Sequence, residues 1–139
     1  MIVGYTSGVF DLFHVGHLNI LRNARKMCDK LIVGVTTDDL LLTYKNKRAI
    51  IPFDERCEIV ESIKYVDLVL PQDNMDKFNC WEKLKFDKMF VGDDWHKTDK
   101  WDVYEKQLKE VGVKIIYFPY TKKTSSTLIN DILNKERSK

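Results

Sequence analysis

Two histidines three positions apart, His14 and His17, close the stretch Ser7-Gly8-Val9-Phe10-Asp11-Leu12-Phe13-His14-Val15-Gly16-His17. Gly8 has no side chain to hold a ligand away from the backbone. Paired imidazoles near the start of a helix can donate to phosphate oxygens beside the helix's free amides, so both can face one anion. A single His at a helix start is commonly a cap or a solvated side chain; two together point to a ligand. A metal is the competing reading, with Asp11, His14 and His17 as three ligands. Helical metal pairs usually sit at i, i+4, so the spacing favours phosphate.

Two further groups carry the residue types that phosphate chemistry needs. Thr37-Asp38 is followed by Lys45, Lys47 and Arg48, a basic turn that matters only if it faces the same site. Gly92-Asp93-Asp94-Trp95 and the hydroxyl-rich run from Thr121 to Thr127 form the third group, with Lys122 and Lys123 beside the start of another helix. Hydroxyls and free amides there make a second anion cradle, although simple N-capping asks for the same residues.

The elements that must position these groups alternate short apolar bursts with longer helical patterns, the rhythm of βαβ units around a parallel sheet. Strands are expected at Ile2 to Thr6, Leu31 to Val35, Val66 to Leu70, Lys88 to Val91 and Val113 to Phe118, with Pro71 ending the third. Helices are expected at Gly16 to Cys28, at Asp54 to Lys64 with Asp54 as N-cap, at Met75 to Lys85, at Lys100 to Glu110 stopped by Gly112, and at Ser126 to Lys135. Thr36 to Arg48 reads as a loop or short irregular segment. The fold class is therefore α/β, a Rossmann-like open parallel sheet of about five strands with helices on both faces. All three chemical groups follow strands, and in such sheets ligands bind beyond the carboxyl ends of the strands.

Composition bounds the rest. The chain has 139 residues, 44% hydrophobic and 32% charged, enough for a single domain over 1–139 and too few for two. The 23 Lys and Arg nearly cancel the 21 Asp and Glu, and a net charge of +2 lacks the excess that holds nucleic acid by its backbone. Cys28, Cys57 and Cys80 form no CxxC pair, which argues against a disulfide framework and a cysteine-based zinc site. No apolar run approaches a membrane span and no signal peptide precedes the first strand, so a cytoplasmic location is expected, with no membrane partner.

The run from Gly8 to His17 resembles the (G/T)xFDxxHxGH stretch of the HxGH nucleotidyltransferases. Pro52 to Asp67 (PFDERCEIVESIKYVD), Val91 to Trp95 (VGDDW) and Thr124 to Ile129 (TSSTLI) are similar, in order, to segments of that superfamily's small bacterial cytidylyltransferases of the glycerol-3-phosphate type. The resemblance implies a homodimeric, Mg²⁺-dependent enzyme. It would transfer CMP from CTP to a small alcohol phosphate, foremost glycerol 3-phosphate, and supply a CDP-alcohol for a surface polymer such as teichoic acid or capsule. His14, His17, Lys45 and Lys47 would be catalytic. Gly8, Val9, Phe10, Asp11, Arg56, Asp94, Ser125, Ser126 and Thr127 would bind the nucleotide. Asp38, Asp67, Trp95 and His96 fall on the acceptor side, while the ligands of the metal are left unassigned, and Asp38, Asp67 and Asp94 could equally read ribose, bind Mg²⁺ or hold loops.

Several positions depart from that pattern. Val9 replaces a usual Thr, Tyr120 a usual Arg and Lys123 a usual Gly, which moves one phosphate contact to Lys122 or Lys123. The stretch from His96 to Glu110 is longer, and a tryptophan usual near Met75 is absent. An adenylyltransferase of the same superfamily, of the FAD synthetase type, is the alternative enzyme, as is a cytidylyltransferase for another polyol or amino-alcohol phosphate. A catalytically silent nucleotide-sensing or dimerisation module is the alternative outside catalysis.

Overall fold

The computed structural model describes residues 1–92 and 99–119. Five parallel strands form one sheet: β1 (Val3–Gly8), β2 (Lys30–Thr36), β3 (Leu68–Gln72), β4 (Lys88–Gly92) and β5 (Lys114–Phe118), in the order β3-β2-β1-β4-β5. Among the described residues five helices intervene: α1 (Val15–Arg25), α2 (Asp38–Lys45), α3 (Phe53–Glu61), α4 (Lys77–Leu84) and α5 (Asp99–Glu110). The order reverses between β1 and β4. That is the doubly wound arrangement, with a crevice where neighbouring connections diverge.

Alternating side chains divide the core between the two faces of the sheet. Along β2, Leu31, Val33 and Val35 join Leu21 and Ala24 of α1, Val60 of α3 and Phe90 of β4. Ile32 points the other way, to Tyr5, Met89 and Val91, where Trp101 and Leu108 of α5 cover the sheet. Gly34, two residues on from Ile32, lies on that second face, where Tyr5 crosses it: a Cβ there would stand 2.4 Å from the Tyr5 hydroxyl.

Several boundaries differ from the sequence reading. Asp38 to Lys45 is a helix rather than a loop: Thr37 caps it, its hydroxyl accepting from Leu40 N at 3.2 Å, and Asn46 ends it in the left-handed region. Asp38 and Asp39 in its first turn and Lys45 in its last complement the helix dipole. α3 begins at Phe53 after Pro52, so Asp54 lies in the first turn and caps nothing. Pro71 lies inside β3, opposite Val35; β3 is an edge strand, and the missing N–H costs no ladder bond on its open side. α1 begins at Val15, one residue before the expected start, with His14 as its cap. Gly112, at φ 87°, follows α5 as expected. The helix expected at Ser126 to Lys135 lies outside the described residues.

Candidate active site

The crevice at the β1/β4 switch point is a cleft of about 260 Å³, floored by Thr6, Ser7 and Gly8 of β1 and by Val91 and Gly92 of β4. Val9, Phe10, Asp11 and His17 form one wall, and Lys45, Lys47 and Lys77 reach it from other elements. At Gly8 a Cβ would stand 3.2 Å from the Phe10 ring, so a larger residue would press on that ring.

Between β1 and α1 the chain turns sharply. Phe10 and Leu12 hold left-handed backbone, φ 55° and 50°, a conformation costing side-chain-bearing residues about 1–2 kcal/mol each. Contacts on either side hold it. Phe10 is buried, its ring 6.4 Å from Phe13 and 5.5 Å from His17. Between the two strained residues Asp11 is buried, and its carboxylate accepts from Ile50 N at 2.8 Å and Ile51 N at 2.9 Å.

The histidines cap the helix they precede. His14 Nδ1 accepts from Gly16 N at 3.0 Å, and His17 Nδ1 accepts from His14 N at 3.1 Å, a reciprocal capping box built from imidazoles. A nitrogen that accepts carries no proton, so each neutral ring keeps its hydrogen on Nε2. Both rings are thereby Nε2–H donors, with centroids 4.1 Å apart. Burial, and secondarily the neighbouring His14, pulls His17 down to about 4 against an opposing pull from Asp11; burial also lowers His14. The pair is uncharged at neutral pH.

Arg56 ties the surrounding loops together from behind the cleft. Its side chain is 0% exposed and donates to Ile51 O at 2.9 Å, Val9 O at 2.7 Å, Thr36 O at 2.9 Å and Asp38 Oδ1 at 2.6 Å. Asp38 also accepts from Phe53 N at 3.1 Å. The β1–α1 turn, the end of β2, the start of α2 and the loop before α3 are therefore fastened to one guanidinium. Arg56 and Asp38, read from the sequence as nucleotide and acceptor contacts, are placed as fasteners that hold Lys45 and Lys47 at the cleft.

The structure also brings in a residue that sequence reasoning missed. Lys77, the first residue of α4, is 3% exposed, and its Nζ donates to Ser7 Oγ at 2.9 Å. Burial lowers its ammonium to about 8. The sequence signal is limited to Asp76, an N-cap residue that puts Lys77 in the first turn of a helix after the third strand.

Asp67 is not brought to the cleft. It precedes β3 at the amino ends of the strands, accepts from Leu31 N at 2.8 Å and pairs with Arg25 at 3.3 Å. Asp94, Trp95, His96, Ser125, Ser126 and Thr127 lie outside the described residues, as do Tyr120, Lys122 and Lys123. The three-ligand metal reading of Asp11, His14 and His17 is overturned. Among the described residues no group of three or more His, Cys, Asp or Glu side chains is arranged to hold a metal ion. The Asp11 oxygens and both Nδ1 atoms hold main-chain amides instead. No helix among the described residues is long and apolar enough to cross a membrane.

An open parallel sheet with an HxGH-bearing helix at its switch point defines a nucleotidyltransferase-type fold, and residues 5–132 match the cytidylyltransferase-like family, to which this chain belongs. Glycerol-3-phosphate cytidylyltransferase of Bacillus subtilis (strain 168) is 35% identical over 133 residues, covering 91% of this chain and 92% of that protein. FAD synthase of Thermococcus sibiricus (strain DSM 12597 / MM 739) is 30% identical over 131 residues, covering 94% and 88%. Among solved structures, the lipopolysaccharide core biosynthesis protein of Thermoplasma volcanium GSS1 superposes with a TM-score of 0.72 at 25% identity, covering 89% of this chain and 99% of that one.

Proposed function

We propose that this chain is a cytidylyltransferase that transfers CMP from CTP to a small alcohol phosphate, foremost glycerol 3-phosphate, releasing pyrophosphate and a CDP-alcohol. The relatives named glycerol-3-phosphate cytidylyltransferase, matched over nearly their whole length, support the reading. The single observation that carries it is the pair of Nε2–H donors fixed at the start of α1, of which His17 lines the crevice and His14 stacks beside it. An oxygen of the acceptor phosphate attacks the α-phosphorus in line. The bond to the bridging oxygen breaks, and its electron pair leaves with pyrophosphate. Such a step needs positioning and charge stabilisation more than a nucleophilic side chain.

His17 and His14 donate to oxygens that gather charge, each worth about 10²–10³ in rate by the measure of other preorganised donors. Being neutral and already oriented by the cap, they need neither proton loss nor ring rotation when the nucleotide enters. Lys45, at the end of α2, and Lys47, in the loop that Arg56 and Asp11 fasten, neutralise the triphosphate. Mg²⁺ would enter as the counter-ion that the triphosphate brings and would neutralise its charge, with Asp93 and Asp94, which follow β4 in sequence, as candidate carboxylates for it. A homodimer in the cytoplasm, supplying the activated alcohol to a surface polymer, completes the proposal.

Pyrophosphate release with CTP or ATP, Mg²⁺ and glycerol 3-phosphate tests it. Turnover with CTP is expected; turnover with ATP alone would replace this reading by the adenylyltransferase that the FAD synthase likeness suggests. Sedimentation should give twice the 16.4 kDa chain mass, and a species of only the chain mass at micromolar concentration would remove the dimer.

A further inference from the structure

Phe13 follows the left-handed Leu12, and its ring lies 5.2 Å from His17 at 36° and 6.4 Å from Phe10 at 27°. A residue directly before an N-cap ordinarily packs its apolar side chain on the fourth residue of the helix. Phe13 holds that place, before His14, yet its aromatic contact within the helix falls on the third residue, His17. Phe10 stands 5.5 Å from the same imidazole at 58°, and His14 stands 4.1 Å from it at 31°. Three rings therefore box one histidine.

The cap bond from His14 N fixes a single atom of that ring, Nδ1. An imidazole held at one atom can still swing about it, and a displacement of about 1 Å at a catalytic group can cost about 10² in rate. Close-packed neighbours remove that freedom, because a displaced ring collides with one of them. They also exclude water: burial is the first cause that brings His17 down to about 4, with His14 second and Asp11 opposing. Lys45, Lys47 and Lys77 are the other charged groups on the cleft that His17 lines. Within the box, Phe10 belongs to the buried core and His14 to the cap. Phe13 is half-buried at the margin of the core, the member whose place core packing explains least.

We propose that Phe13 is a positioning residue: its ring completes the box that Phe10 and His14 begin around His17, and so holds the Nε2–H donor at the cleft in one dry pose. Phe13 acts through the imidazole and touches no substrate. This rests on the cytidylyl-transfer reading, in which His17 donates to oxygens that gather charge, and it adds the group that keeps that donor preorganised. The strain at Leu12, about 1–2 kcal/mol for a side-chain-bearing residue in left-handed backbone, then has a use, since it precedes the residue that closes the box.

Phe13→Ala, Phe13→Leu and Phe13→Tyr, with and without His17→Gln, test the inference in two readouts. In the free protein, the His17 Cε1–H resonance should titrate about one pH unit or more higher in Phe13→Ala, toward the ordinary 6.5, and Phe13→Tyr should restore the low value. In steady state with CTP, Mg²⁺ and glycerol 3-phosphate, Phe13→Ala should lower kcat about tenfold or more while the CTP KM stays within about threefold. In the His17→Gln background the same substitution should change kcat by less than about threefold, because the group it positions is gone. Phe13→Leu should show both effects at smaller size, and it carries the test if the alanine variant does not fold. An unmoved His17 titration, or the full loss of kcat repeated in the His17→Gln background, overturns the inference. A wild type that releases no pyrophosphate from CTP overturns the underlying reading instead, while the titration still decides whether Phe13 boxes His17.

Discussion

Replacing Arg56 by Met separates a fastener from a phosphate ligand. The guanidinium makes one ion pair and three bonds to backbone carbonyls, all from a side chain fully removed from solvent. The Asp38 side chain is 53% exposed, so the ion pair is screened and contributes about 1 kcal/mol or less. The larger cost comes from the carbonyls of Val9, Thr36 and Ile51, since each buried acceptor left without a donor costs about 1–3 kcal/mol. Methionine fills most of the volume and restores none of these bonds. A loss of about 3–5 kcal/mol is therefore expected, the range seen when one partner of a buried charged network is removed. Urea unfolding should show the midpoint falling at constant slope. Arg56→Lys keeps the charge but not the planar fork, and should recover less than half. Unchanged stability with a large rise in the CTP KM would refute the reasoning and return Arg56 to the nucleotide.

Three further outcomes follow from the geometry. His17→Gln supplies the residue type that usually closes a capping box, so the melting temperature should stay within a few degrees while kcat falls about 10²–10³-fold; retained kcat would show that the imidazole does not act on substrate. Because the folded value of His17 near 4 lies below its ordinary 6.5, the unfolded chain binds the proton more tightly between those values. Stability should thus fall on the order of 2–3 kcal/mol as pH drops from 6.5 to 4, and His17→Gln should flatten that slope in pH-dependent urea titrations. Gly34→Ala should destabilise by about 1–3 kcal/mol through contact with the Tyr5 hydroxyl, with Tyr5→Phe relieving much of it; an unaffected melting temperature in the single variant would show that the sheet yields there.

The parallel sheet was legible because both faces of β2 and β4 are covered, which leaves nearly uninterrupted apolar runs. The short helix Asp38–Lys45 was hidden by its own brevity: three consecutive leucines carry no clear helical period, and only its caps announce it. Pro71 misled because a proline stops a strand only where the ladder needs its amide, and an edge position does not. In the site, the histidine pair stands out by its spacing, while Lys45 and Lys47 are a basic turn in the sequence until the family resemblance singles them out. The roles of Arg56 and Asp38 could not be read, since both depend on which loops meet in space. Lys77 escaped because it comes from the far side of the sheet, and only its bond to Ser7 reveals that it reaches the crevice.

If His14 and His17 act as proposed, their reciprocal cap ties the shape of this protein to its chemistry through the same two rings. A lineage in which glutamine replaced the second ring would keep its silhouette, its crevice and its resistance to heat, yet lose turnover at a single codon. Among such descendants, resemblance of form would say nothing about which still work, and the identity of one side chain would say nearly everything.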